Sequence, residues 1–401
     1  MKFFENQKSA LNILKYSLII GSLLTLLKLA LIGVSIFFLP DLLVVVWMLY
    51  LMNNKVIIKD KSVLFILILN IIILGLYLIF SPQNSSPYFS NNLLVAVKVP
   101  FYIGIISFSI YNKFEYNIKG IVYGVFYVYP VILIWHILFY RYYAPELAGR
   151  PFFLFENNFE VSLVLSFFCI INFIYKDTRL RFFILMSVII FLLASRSGAI
   201  GYLIVSLVYI FTLSRGRFLI AASLLAAIFF YIKITKNINF DPNKVDRIQI
   251  FMSFFSIYGS KIENILRVPF GFGLYDQVPP FQCMSLNAFA HWITGNRLNC
   301  DPILFHGYFM RVIFQYGIYY ALAIPLVLVY LISRSSNLFV GCIVILPALA
   351  SSTSVGGFSN GIVFLGILAS LIAIYQVKAI SGNPDYFTRN YFDGLFINKK
   401  S

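Results

Sequence analysis

The chain has 401 residues, 60% of them hydrophobic and only 11% charged, with a net charge of +16 and a mean hydropathy of +0.87. Soluble domains carry about 25% charged residues, so this composition excludes a string of soluble domains and points to lipid as the solvent. The basic residues form no stripe with interleaved aromatics, so a nucleic-acid partner is not expected.

A helix needs roughly 20 mostly apolar residues to cross the hydrocarbon. The apolar runs predict twelve spans, near 16–36, 39–53, 62–80, 91–111, 118–140, 159–175, 180–194, 198–213, 217–233, 307–332, 338–353 and 358–378. Leu39-Pro40-Asp41 is the sole break between the first two. The first run is long and lacks a small-residue cleavage site, so it does not read as a cleavable signal peptide. The expected fold is all-α: a polytopic integral membrane protein of about twelve transmembrane helices. Residues 1–233 hold nine spans, 234–306 form one large loop, 307–378 hold three spans, and 379–401 form a tail.

Cytoplasmic loops are enriched in Lys and Arg. With the N-terminus inside, 18 of the 31 basic residues fall on inside segments, among them Lys55, Lys59, Lys176, Arg179, Arg215 and Arg334. The outside loops near 81–90 and 354–360 hold none. This predicts both termini inside and makes the basic residues of the outer side informative. Those are Arg141, Arg150, Arg196, Lys236, Lys244, Arg247, Lys261, Arg267 and Arg297, with Arg311 about one turn inside the next span.

Within the large loop, residues 241–266 carry Ile248, Phe251, Met252, Phe255, Ile262, Ile265 and Leu266 at helical spacing. The spacing predicts an amphipathic helix on or near the outer surface. Pro269, Gly271 and Gly273 then punctuate a turn. The stretch 275–305 reads as irregular and ends at His306, and a loop of this length usually binds something.

Four local patterns resemble the O-antigen polymerase and O-antigen ligase superfamily. Gly149-Arg150-Pro151, with Phe155-Glu156-Asn157-Asn158 opening a span, looks like its Arg-plus-Asn entry segment. Ala194-Ser195-Arg196-Ser197-Gly198 is similar to its Ser-Arg-x-Gly turn. Arg247 with Val268-Pro269-Phe270-Gly271-Phe272-Gly273 resembles its outer-loop Arg and Pro-x-x-Gly-x-Gly. His306-Gly307-Tyr308, then Tyr316-Gly317-Ile318, resembles its loop-end His followed by a Gly, although Gly307 stands where the family usually has Asn.

The resemblance implies a C-type glycosyltransferase-like enzyme at the periplasmic face of the bacterial inner membrane. Its donor and acceptor are undecaprenyl-pyrophosphate-linked glycans, transfer inverts the anomeric centre, and neither metal nor other cofactor is used. A chain-length regulator is an expected partner beside membrane lipids. Arg suits pyrophosphate because its fork of donors meets phosphate oxygens bidentately, and the leaving group needs charge stabilisation. Arg150, Arg196 and Arg247 are the leading substrate-binding candidates, followed by Arg267, Arg311 and Asn158. His306 is the candidate base for the acceptor hydroxyl, with Glu156 as an alternative. Gly271 and Gly273 shape the loop turn. Cys283 and Cys300 share the loop, and an oxidising periplasm permits a disulfide between them; the sequence leaves open whether it forms.

A polymerase is the preferred reading. A ligase transferring the glycan to lipid A core shares every motif. A flippase for lipid-linked oligosaccharide fits twelve spans, but no internal repeat is visible and the spans split nine and three around the loop.

Overall fold

A computed structural model describes residues 60–79, 89–110, 118–143, 157–193, 196–212, 246–259, 262–273, 277–286, 300, 302, 305, 307–352, 357–383 and 386–389. Among these residues every regular element is helical. In chain order the helices are α1 (Lys61–Ile79), α2 (Phe89–Ser109), α3 (Ile118–Tyr143), α4 (Asn157–Cys169), α5 (Leu180–Leu193) and α6 (Arg196–Thr212). Then follow α7 (Asp246–Gly259), α8 (Ile262–Arg267), α9 (Pro280–Ser285), α10 (Tyr308–Ser335), α11 (Leu338–Ser352), α12 (Gly361–Ser381) and α13 (Tyr386–Arg389). A π-helical turn, Ile170–Ile174, continues α4. Nine of the predicted spans fall on α1 to α6 and α10 to α12. The predicted spans 16–36, 39–53 and 217–233 lie outside the described residues.

Segments of α3, α10 and α12 are long and apolar enough to cross a membrane. Other helices carry lipid-compatible surfaces: Phe65, Ile71, Ile184, Phe191 and Ile200 are large, apolar and exposed. In water such a surface would be an aggregation hazard; in lipid it is the solvated face.

The bundle is organised around α4. From Glu160 to Ile174 nearly every residue is buried, the pattern of a helix enclosed on all sides. Its neighbours are α12, α11, α6, α5 and α3. Small residues set the spacing, as expected where lipid provides no hydrophobic drive between helices. A Cβ on Gly366 of α12 would lie 2.5 Å from Ser166 Oγ, and one on Gly201 of α6 would lie 2.7 Å from Ala350 Cβ and 2.8 Å from Leu165. Ser162 adds a hydrogen bond to the Pro347 carbonyl at 3.1 Å.

At the far end of α4 the π turn leads to a connection held by Asp177. Tyr123 of α3 donates to its carboxylate at 2.8 Å, and Arg179 donates through Nε at 2.7 Å and pairs with it again through Nη2. Burial opposes the charge of Asp177, but the hydrogen bonds from Arg179 and Tyr123 outweigh it and hold the carboxyl below its ordinary value. A depressed folded-state value means that this stabilisation is present above the unfolded carboxylate range and is lost as pH falls through the folded value. The thermal midpoint of the purified protein should therefore drop on acidification below the ordinary aspartate range. Asp177→Asn should lower the midpoint at neutral pH and flatten that acid limb; an unchanged acid limb would contradict the assignment.

The loop is not one amphipathic helix. It divides into α7 and α8, and a short helix, α9, stands in the stretch expected to be irregular. The side chains expected to form its apolar face are those left exposed: Phe251, Met252, Phe255, Ile265 and Leu266. A second face, Ile250, Phe254, Ile257 and Tyr258, packs with Val278, Cys283, Leu286, Phe305 and Phe314 into a separate core. The helical spacing is right, but α7 is apolar on two sides, which a search for one stripe does not reveal.

Candidate functional site

The site is built where the loop meets α10. Gly317 interrupts that helix with φ 85° and ψ 169°, a conformation open to glycine and strained for other residues. An uninterrupted helix would join the amides of Ile318 and Tyr319 to the carbonyls of Phe314 and Gln315. With the ladder broken, all four groups need new partners, and the turn 268–273 provides them. Phe272 donates to the Phe314 carbonyl at 2.7 Å and Gly273 to that of Gln315 at 3.2 Å. In return Ile318 donates to the Val268 carbonyl at 2.9 Å and Tyr319 to that of Pro269 at 3.5 Å.

So close an approach of two backbones leaves no room for side chains. A Cβ on Gly317 would sit 2.1 Å from the Pro269 carbonyl oxygen, and one on Gly271, itself at φ 79°, would sit 2.6 Å from the Gly317 nitrogen. Two of the sequence patterns, Val268–Gly273 and Tyr316–Ile318, thus form one interlocked elbow.

Aromatic packing extends the elbow into the loop core. Phe272 stacks on Phe314 at 4.8 Å, and Phe305 and Phe254 pack edge to face at 5.4 Å. Tyr258 reaches the Ile313 carbonyl at 3.4 Å, and burial pushes its phenol well above the ordinary value. Asn264 caps the end of α7 through the Ile257 carbonyl at 2.8 Å. Cys283 and Cys300 are joined in a disulfide, and the Val278 amide donates to the Cys300 carbonyl at 2.8 Å.

Among the candidate cations, Arg267 ends α8 with its guanidinium 5.2 Å from the centre of the Phe272 ring, on the side chain that stacks on Phe314. The contact is a cation–π attraction that holds the guanidinium against the ring. Arg311 is half-buried on the first turn of α10, three residues before Phe314. Arg247 is the second residue of α7, Asn158 the second of α4, and Arg196 the first of α6. Arg150, Glu156 and His306 lie outside the described residues.

Helix directions show how these positions relate. Gly201, early in α6, meets Leu165 of α4, and Tyr209, near the end of α6, packs on Phe173 in the π turn that ends α4 at 6.1 Å, so the two helices run the same way and start at the same end of the bundle. Gly201 also meets Ala350, near the end of α11, and α11 packs on α10. Tyr308, the first residue of α10, packs on Phe358 at 5.7 Å, in the connection that follows α11. The starts of α4, α6 and α10, with Asn158, Arg196 and Arg311, therefore share the end that carries the elbow and the loop core.

One residue was not singled out from sequence. Glu160, in the first turn of α4, is the one charged side chain fully buried among the described residues, at 3% exposure. Tyr129 of α3 donates to its carboxylate at 2.6 Å. A carboxylate is favoured in the first turn of a helix by the macrodipole, and a buried ionisable group inside a membrane bundle is costly enough to make it a functional candidate. The signal was available as an acidic residue inside an apolar run.

Comparison with protein-family models, with curated proteins and with solved structures gives no match for this chain.

Two outcomes test the elbow. Gly317→Ala should cost at least about 1–3 kcal/mol from its backbone conformation alone, plus the clash with Pro269, read as a lowered thermal midpoint in detergent. Gly124→Ala, at a position with open space around it, is the control and should not fall. Cys283→Ser should remove about 3 kcal/mol from the loop core in the chain-entropy account. Limited proteolysis should then cut between α7 and α10 faster while the bundle stays intact.

Proposed function

We propose that this chain polymerises undecaprenyl-pyrophosphate-linked oligosaccharide repeat units into an O-antigen or related surface polysaccharide. In this reading twelve helices cross the bacterial inner membrane with both termini in the cytoplasm, and the loop faces the periplasm. The observation that carries the reading is the elbow. Two segments that the family resemblance relates only by their order along the chain pair through their backbones, with Arg267 and Arg311 beside the junction. Asn158 and Arg196, from the other two patterns, open helices at the same end of the bundle.

The chemistry follows from those groups. The lipid-linked pyrophosphate enters from the membrane and is held by guanidinium groups, which neutralise charge as the bond between the anomeric carbon and the phosphate oxygen breaks. The acceptor hydroxyl attacks the same carbon from the opposite face and inverts it. Its proton passes to a base, assigned to His306. The pyrophosphate leaves on its lipid, and no metal is called on.

Glu160 favours a second reading, since buried carboxylates in membrane bundles also serve as proton-coupling groups in transporters. Purified protein that joins lipid-linked repeats without an energy source separates the two. The ligase reading is separated genetically: loss of a polymerase leaves single repeats attached to the lipid core, and loss of a ligase leaves none.

Arg196→Ala and His306→Ala should retain normal membrane levels while long chains fall by about 100-fold or more, the usual scale for removing an acid–base or charge-stabilising group. Chains of normal length from both variants would remove the site assignment.

A further inference from the structure

The loop carries apolar side chains on two faces, and only one of them builds its core. On the other, Phe251, Met252 and Phe255 of α7, Leu266 of α8 and Phe270 of the turn are 52–77% exposed. Phe251 and Phe255 form a single patch, with ring centres 4.4 Å apart. An isolated soluble surface rarely leaves so much large apolar area uncovered.

What covers this face follows from its continuation. The Phe270 ring packs edge-on against Tyr319 at 5.8 Å. Tyr319 is 63% exposed and begins a stripe with Leu322 and Leu326 down the outer face of α10, a helix long and apolar enough to cross a membrane. From Tyr319 to the end of α10 is about 25 Å at 1.5 Å per residue, close to the roughly 30 Å of hydrocarbon. That puts Tyr319 at the edge of the hydrocarbon, where tyrosines concentrate, and Phe270 at the same depth. Leu266 lies one helical turn away in the chain, with the cationic Arg267 next to it. This mixture of apolar anchors and a cation is typical of interfacial helices.

We propose that the outward face of α7, α8 and the following turn is seated in the adjacent membrane leaflet, with lipid acyl chains as its occupant. The loop is then anchored twice, by backbone pairing at the elbow and by immersion of Leu266 and Phe270 in lipid. This inference stands independently of the enzymatic reading, because it needs only that α10 crosses the membrane.

The test uses the full chain with Trp47, Trp135 and Trp292 replaced by Phe, and a single tryptophan introduced as Leu266→Trp, Phe270→Trp or Leu326→Trp. Each is reconstituted in vesicles of phosphatidylcholine and phosphatidylglycerol, with or without brominated acyl chains. An unaltered thermal midpoint selects the variants that fold. The expected result is that brominated chains quench Leu266→Trp and Phe270→Trp as strongly as Leu326→Trp, and that aqueous acrylamide quenches none of the three. Strong acrylamide quenching without bromine quenching at the two loop positions would show a water-exposed face and overturn the proposal. Resistance to both quenchers would also overturn it, by showing that protein, such as a second copy of this chain, covers the face.

Discussion

A helix that breaks its hydrogen-bond ladder at the edge of a membrane must find other partners for the groups it frees. An amide or carbonyl left unpaired in an apolar environment costs several kcal/mol, and Gly317 frees two of each. The turn 268–273 offers two amides and two carbonyls in matching positions. The interaction is mutual: the turn needs α10 as much as α10 needs the turn, and both segments need glycine where they cross. The loop is therefore a fixture of the bundle, with Phe314 serving the helix and the loop core at once.

The same constraint places the candidate chemistry. The elbow fixes Arg267 through Phe272 and sets Arg311 on the short arm of α10. The enclosed helix α4 fixes the other half: its close contacts with α6 and α12 leave little freedom to slide, and its start holds Asn158 above the buried Glu160. Rigid helices from distant parts of the chain thus present polar positions at one end of an otherwise apolar bundle. The proposed reaction would use that arrangement, on a substrate whose tail lies in the bilayer and whose headgroup does not.

Much of this architecture was legible in the sequence because hydrophobic run length is a strong signal in lipid. As helices, the runs at 62–80, 180–194 and 338–353 match α1, α5 and α11 to within a residue or so, while among the described residues the segments long and apolar enough to cross a membrane lie on α3, α10 and α12. The elbow is legible only in pieces: Gly271, Gly273 and Gly317 stand out in the sequence, but glycines more than 40 residues apart do not announce that they touch. The two-sided helix α7 was read by one face because the 3.6-residue period reports a stripe and not its partner. Glu156 stands beside a patterned Arg and so draws the eye first, although Glu160, an acidic residue inside an apolar run, carries the sharper physical cost.

Hydrogen exchange at single amides of the protein in detergent or nanodiscs tests the interlocked elbow most directly. The account predicts that Phe272, Gly273 and Ile318 exchange slowly, with protection comparable to α10 on either side of Gly317, and that Gly271→Ala speeds all three together. Fast exchange of Phe272 and Gly273 beside a protected α10 would mean that the turn is not bonded to the broken helix, and the central claim would fail.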